Sequence, residues 1–383
     1  MKIKIDALDT LFFRDGKPFS LGEETWAEGL FPPSPGVLYG ALRSLYFSLH
    51  PHEMDKAGQD NDPTKELIIK GIYFFMEDEW HLVNPLDYVK EKKAYRPRFH
   101  LLCLKDLPQE IKGTSYPLSS GLVPPKNIQV ENVEGMISLD ALEDYAMLNE
   151  ASGEIKPWAR YVHVEPKVGI GRSKITNSTR EGLLYRVGMV RPAFDPVKEG
   201  EAPNVDATFE RLSIIIDFEG LPAMDHLPAK GFFRLGGESK AVAYEVFEPT
   251  INLPSQAIEG QGIFKLVLLT PALFDNGWCP ASINPTTGRG TLTIAPQKMV
   301  EVELLAAATG KPVPVGGFDM QAKLPKPMLK AVPAGAVYYF RLANAEDAPL
   351  LQQKFSPASL SDQRANEGFG LALFIHTKNS PQP

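Results

Sequence analysis

The chain has 383 residues, of which 43% are apolar and 23% are charged, a composition typical of a globular protein with a sizeable core. Its formal net charge of −7 argues against a free-standing nucleic-acid binder, because such proteins usually have a basic balance. Cys103 and Cys279 have no partners at metal-ligand spacing, so we expect no metal and no cofactor. The absence of a secretory signal and of a long apolar run predicts a cytoplasmic protein without a membrane partner.

The charges are strongly segregated along the chain. Eight basic residues and two acidic ones lie between positions 156 and 191, which gives that stretch a charge of +6. From position 193 to 225 the balance swings to −6. Such segregation indicates surfaces that face different partners.

The first elements alternate strand and helix. Alternation of Ile3 and Ile5 with lysines predicts a half-buried strand. In FPPSPGVLYGALRSLYFSL, Ser34 is a candidate N-cap and Pro35 a candidate first helical residue, followed by apolar residues at i, i+3 and i+4 spacing. Residues 66–75 and 80–83 then favour a pair of strands.

A weaker, proline-rich pattern follows and indicates an insertion at about 85–190, with a short helix predicted over 138–148. Its last part is the clearest. Apolar residues alternate with polar ones on both sides of the tip RSKITNSTREG, which predicts a long β-hairpin with a basic tip over 167–191.

Strands are also predicted over 211–218, on both sides of the glycines in GFFRLGGESKAVAYEVFEP, and over 264–269, 299–305, 337–342 and 370–375. A linker is expected near 249–262. The sequence therefore predicts an α+β protein of two domains, 1–248 with the insertion and 249–383.

Several segments, in order, resemble the RAMP superfamily of CRISPR proteins, and within it the third RAMP-module subunit of the type III-B (Cmr) effector complex. They are FRDGKPF, LFPPSPGVLYGALRS, KVGIGRSKITNSTREGLLYRVGMVRP, FRLGGESKAV, VGGFDMQAKLPKPMLKAVPAGAVYYF and NEGFGLALF. The resemblance implies two ferredoxin-like (RRM-like) domains and a subunit without catalytic activity. It implies that this subunit holds the repeat-derived 5′ tag of the crRNA and bridges the large polymerase-type subunit to the backbone RAMP subunits, with target RNA as a further candidate partner.

Three kinds of feature are candidates for RNA contact. Glycine pairs let backbone N–H groups approach phosphates, the basic hairpin can neutralise them, and polar residues at its tip can bond sugar and phosphate oxygens. The predicted RNA-binding residues are Arg14, Arg43, Lys167, Arg172, Lys174, Thr176, Asn177, Arg180, Arg186, Arg234, Gly236, Gly237, Lys240, Gly316, Gly317, Lys323, Lys326, Lys330, Gly368 and Gly370.

Other interpretations of these residues stay open. The glycine pairs fit plain hairpin turns, the hairpin fits a solvated ribbon or a contact to an acidic protein, Arg14 fits a salt-bridged turn, and GFGLALF fits a buried last strand. Two other functions also compete. The chain could be a metal-independent crRNA-processing endoribonuclease, for which His163 is the one histidine to test, or a protein-only connector.

Overall fold

A computed structural model describes residues 1–14, 26–27, 29–107, 117–125, 128–147, 151–173, 175–194, 210–222, 227–254, 262–319 and 324–377 of the protein. The helices are α1 (Pro35–Leu49), α2 (Leu139–Met147), α3 (Trp158–Tyr161) and α4 (Ala348–Lys354). Short 3₁₀ turns cover Pro51–Lys56, Ala345–Asp347 and Ala365–Glu367. Within this part of the chain, no helix is long and apolar enough to cross a membrane.

The strands of the N-terminal half are β1 (Lys2–Ala7), β2 (Trp26–Ala27), β3 (Ile68–Met76), β4 (Glu79–Val83), β5 (Tyr88–Glu91), β6 (Phe99–Leu101), β7 (Cys103–Asp106), β8 (Ser120–Val123), β9 (Val130–Glu131), β10 (Gly135–Ser138), β11 (Lys156–Pro157), β12 (Val162–Arg172), β13 (Thr179–Phe194), β14 (Glu210–Arg211), β15 (Ser213–Glu219), β16 (Lys230–Arg234) and β17 (Ala241–Val246). The main sheet of this half has the order β11-β10-β4-β3-β15-β1-β17-β16.

The strands of the C-terminal half are β18 (Ile263–Leu268), β19 (Arg289–Ala295), β20 (Lys298–Ala308), β21 (Val313–Val315), β22 (Phe318–Asp319), β23 (Leu324–Pro325), β24 (Leu329–Ala331), β25 (Val337–Leu342), β26 (Ala358–Ser359) and β27 (Leu371–His376). Their main sheet has the order β19-β20-β25-β18-β27-β26. Pairing in both main sheets is antiparallel, so the predicted α+β class is confirmed.

The two predicted ferredoxin-like domains stay a prediction. In the N-terminal half α1 connects β1 to β3, but the described residues between β15 and β17 form no helix. In the C-terminal half α4 lies between β25 and β27, but the described residues between β18 and β20 form no helix. Among the described residues, each half therefore has a helix at only one of the two positions where a βαββαβ unit has one.

The periodicity of α1 correctly predicted its buried face. The helix begins at Pro35 and buries Leu38 and Leu42 completely, although Ser34 makes no side-chain capping hydrogen bond. One hydrophobic core cluster contains both Ile5 of β1 and Val267 of β18, so it runs across the expected linker. A second cluster fills the other side of the C-terminal sheet, where Leu351 of α4 is fully buried.

A buried ion pair joins the insertion to the C-terminal sheet. Lys265 Nζ lies 3.2 Å from Asp87 Oδ2, and both side chains are at most 1% exposed. The Tyr339 hydroxyl donates to Asp87 Oδ2 at 2.6 Å, and the Tyr145 hydroxyl donates to Asp87 Oδ1 at 2.9 Å. Burial lowers the pKa of Lys265 and raises the pKa values of both tyrosines well above the ordinary value. The carboxylate is thus the common acceptor of three groups from distant parts of the chain.

Candidate nucleic-acid interface

The predicted hairpin exists and stands on the N-terminal half. Strands β12 and β13 pair from Val162 opposite Pro192 to Arg172 opposite Thr179. The base is fixed by Leu11, whose backbone exchanges hydrogen bonds of 2.7 and 2.8 Å with that of Val190. Phe12 packs there with Val187 and Met189 in a small apolar cluster.

Ion pairs connect the hairpin base to two neighbouring segments. Asp9, just after β1, lies 2.8 Å from Lys240 Nζ and 3.2 Å from Arg191 Nη2. Arg191 also pairs with Glu165, and Lys167 Nζ lies 3.6 Å from Glu238. The hydrogen bond from Lys240 is the main reason why the pKa of Asp9 falls to about 2. We call this joined surface, formed by residues 9–14, the β12–β13 hairpin and residues 234–240, the hairpin surface.

These pairs change how two predicted RNA contacts are read. Lys167 and Lys240 are basic as expected, but Glu238 and Asp9 lie beside them in the protein. Both lysines therefore help to hold the hairpin surface together, and an RNA phosphate would have to compete with a carboxylate for each of them.

The glycine pair in FRLGGESKAV makes a tight turn against Phe12. Gly236 has φ of +79°, and a Cβ atom there would lie 2.5 Å from the Phe12 carbonyl oxygen. The Gly237 N–H donates to that same oxygen at 2.8 Å. Close packing requires glycine at position 236, and the Gly237 amide already has an acceptor within the protein. RNA would have to compete with the Phe12 carbonyl for the Gly237 amide, and this contact stays a prediction.

Several arginines contribute exposed positive charge to the hairpin surface. Arg172, Arg186 and Arg234 are exposed, and the backbone of Arg14, also exposed, bridges to that of Gly29. Arg172 Nε lies 3.4 Å from the carbonyl oxygen of Asn177 at the tip, where the side chains of Thr176 and Asn177 are exposed as well. Lys174 and the side chain of Arg180 lie outside the described residues.

The second glycine pair belongs to a separate ribbon. Strand β21 pairs with β24 and β22 pairs with β23, which leaves Gly316 and Gly317 between β21 and β22. The Lys326 N–H donates to the Gly317 carbonyl oxygen at 2.9 Å, and the side chains of Lys326 and Lys330 are exposed. Lys323 lies outside the described residues. This ribbon remains a predicted RNA contact.

The last two glycines that were predicted to contact RNA lie inside the protein. Gly368 and Gly370 are both buried. A Cβ on Gly368 would lie 2.9 Å from Ile69 Cγ2 of β3, and one on Gly370 would lie 2.6 Å from the Ser361 nitrogen. The Gly370 N–H donates to the Pro271 carbonyl oxygen at 2.7 Å. Gly368 thus packs against the N-terminal half and Gly370 against its own half, so the packing of the protein accounts for both glycines without RNA.

Arg43 is held in an ion pair with the segment after α1. Its Nη2 lies 2.5 Å from Asp62 Oδ2, and its Nε donates to Thr64 Oγ1 at 2.7 Å. The Asp62 side chain is only 6% exposed. Arg43 therefore neutralises a nearly buried carboxylate and fixes the segment after α1, which leaves it poorly placed to bind phosphate.

Sequence reasoning missed two features of this region. The ion pairs of Asp9, Glu165 and Glu238 were not predicted, because each carboxylate lies far along the chain from at least one of its basic partners. Phe232 was overlooked beside Phe233, although one aromatic of an adjacent pair in a strand must face away from the core. Phe232 is 69% exposed, whereas Phe233 is 7% exposed.

The chain was compared with protein families, solved structures and curated proteins, and the first two comparisons found matches. The chain matches the family described as CRISPR-associated protein (Cas_Cmr3) over residues 3–377. Similar solved structures include two of the type III-B Cmr-beta complex. One is bound to cognate target RNA and AMPPnP (14% identity, TM-score 0.51), the other to cognate target RNA (15% identity, TM-score 0.51). In each case the match covers 93% of this chain and 90% of the other. No curated protein matches the chain.

Because the family match covers nearly the whole chain, the protein belongs to the Cas_Cmr3 family of CRISPR-associated proteins. The predicted RAMP-type subunit of a type III-B Cmr complex is confirmed at this level. The Cmr-beta structures show that the fold is shared, whereas the residues that contact RNA in this chain stay a prediction.

Proposed function

We propose that this protein is a non-catalytic subunit of a type III-B effector complex that holds the repeat-derived 5′ tag of the crRNA and bridges the large subunit to the backbone subunits. The observation that carries the proposal is the hairpin surface, where ion pairs fix a long ribbon and a glycine turn beside exposed arginines. A fixed basic ribbon suits a single RNA strand because it presents cations at a defined spacing to successive phosphates.

The charge of the whole chain adds a condition to this proposal. The net charge of −7 repels RNA, and three basic residues of the hairpin surface already face carboxylates. We therefore expect the isolated subunit to bind RNA weakly and in a salt-sensitive way. Stable binding requires neighbouring subunits that complete the groove, which fits a bridging position between them.

The decisive experiment removes the two exposed hairpin arginines in the assembled complex. Each lost phosphate contact reduces the magnitude of the negative slope of log K against log salt by about 0.7. The double variant Arg172→Gln with Arg186→Gln should therefore show a slope that is shallower by about 1.4 and should retain less crRNA. The matched control is Lys298→Gln, an exposed cation on the C-terminal sheet. Retention and slope equal to those of the control would refute the role of the hairpin.

The absence of catalysis needs its own test. Purified protein is incubated with a repeat-containing RNA in the presence of a chelator, and the products are sized. We expect no site-specific cleavage. His163 is the histidine to replace, because it lies in the hairpin opposite Arg191. Cuts that disappear in His163→Ala would refute this proposal in favour of a processing endoribonuclease.

A further inference from the structure

An exposed aromatic side chain lies on the N-terminal sheet next to the hairpin surface. Phe232 is on β16, at the end of the strand order, and its side chain is 69% exposed. Phe233 and its cross-strand partner Val242 point into the core. Phe232 therefore belongs to the opposite face of the sheet, which we call the outer face.

The neighbours of Phe232 leave its ring accessible and place a basic residue on either side of it along the strand. Its partner across the strand pair is Ala243, and the partner of Arg234 is Ala241, so small side chains flank the ring. Lys230 and Arg234 share the outer face because they lie two residues away on either side. Lys230 pairs with Glu245 at 3.1 Å, and Arg234 is exposed.

The outer face is continuous with the proposed RNA interface. Strand β16 ends at Arg234, two residues before Gly236, whose turn packs on Phe12 of the hairpin surface. Lys240 closes that turn and contacts Asp9, which also contacts Arg191 of the hairpin. A strand of RNA that follows the hairpin arginines towards Arg234 would reach Phe232 next.

We propose that Phe232 stacks against one unpaired base of the bound RNA strand, while Arg234 contacts an adjacent phosphate. This inference rests on the proposed RNA-holding function. An exposed ring with Lys230 and Arg234 beside it on the strand and alanines across from it suits a base, which offers a flat face beside a negative backbone. A protein partner would be expected to cover a broader apolar patch, and the residues flanking Phe232 on this face, Lys230 and Arg234, are charged.

The test compares substitutions at Phe232 in the assembled complex. Stacking of one base contributes enough that Phe232→Ala should weaken crRNA binding by about 5- to 100-fold. Phe232→Leu keeps the apolar bulk but not the aromatic face and should lose nearly as much, whereas Phe232→Trp should retain binding. Tyr95→Ala is the matched control, because Tyr95 is a fully exposed aromatic outside the hairpin surface and the outer face.

The salt dependence separates the two residues of the proposed contact. Phe232→Ala should weaken binding by the same factor at every salt concentration, because stacking releases no counterions. Arg234→Gln should reduce the magnitude of the slope of log K against log salt by about 0.7. Photocrosslinking of the RNA to the peptide that contains Phe232 should occur in the wild-type complex.

Each remaining outcome overturns the inference in a recognisable way. Full binding by Phe232→Leu with loss of a protein subunit in Phe232→Ala would mean that the ring docks a protein. If Phe232→Ala matches Tyr95→Ala while the double glutamine variant at Arg172 and Arg186 loses crRNA, the stacking inference fails and the proposed function stands. If that double variant also retains crRNA normally, the proposed function fails, and the stacking inference that rests on it fails too.

Discussion

Replacing Asp87 with asparagine would remove the only carboxylate from the hydrogen bonds and ion pair described around Lys265. The change preserves side-chain volume, and the amide oxygen can still accept from the hydroxyls of Tyr145 and Tyr339. Lys265 would keep its charge in a fully buried position without the carboxylate of Asp87. Removing one member of a buried pair typically costs about 3–5 kcal/mol, so we expect Asp87→Asn to lower the free energy of unfolding by that amount.

The measurement is denaturant unfolding of the purified subunit at several pH values. A protein that buries a lysine without a carboxylate beside it becomes more stable when that lysine loses its proton. The loss in free energy of unfolding caused by Asp87→Asn should therefore be largest near neutral pH. It should shrink as the pH rises towards the ordinary lysine value of about 10.4, because the folded state then no longer has to bury a charge. Lys265→Met in the Asp87→Asn background should recover part of the loss by removing that charge altogether.

A surface ion pair provides the matched control. Lys70 and Glu219 lie 3.1 Å apart, but their side chains are 51% and 54% exposed. Glu219→Gln should therefore cost at most about 1 kcal/mol. If Asp87→Asn costs no more than this control, or if its deficit does not change with pH, the reasoning about the buried charge is wrong.

Four further predictions concern single residues. Burial lowers the pKa of His81 to about 4. The unfolded state, with a histidine pKa of about 6.5, takes up the proton first, so stability should fall by about 3 kcal/mol as the pH drops from 6.5 to 4, and His81→Gln should flatten that part of the curve. Gly236→Ala should lower the melting temperature because its Cβ would meet the Phe12 carbonyl at 2.5 Å. Gly40→Ala, in α1 with nothing within 4 Å, should instead stabilise by up to about 1 kcal/mol. In the isolated subunit, Arg172→Gln should leave the denaturation midpoint unchanged, because the side chain is exposed.

Local pattern alone predicted much of the secondary structure. The first strand, α1, the short α2, the long hairpin and the strands around GFFRLGGESKAV all occur close to their predicted positions. Among the elements that were missed, two bury very few residues. The edge strand β19 buries only Leu292, and α4 buries only Ala348 and Leu351, too few for a visible helical stripe.

Sequence and tertiary structure thus determined different properties of this protein. Periodicity and ordered motifs are local, so the sequence determined the class of fold, the basic hairpin and the family resemblance. The availability of each candidate residue depends on what lies across from it. Gly368 meets Ile69 and Arg43 meets Asp62, while Asp87 and Lys265, 178 residues apart, pair in the core. Only the folded chain brings such partners together, and it therefore decided which candidate residues already have partners within the protein.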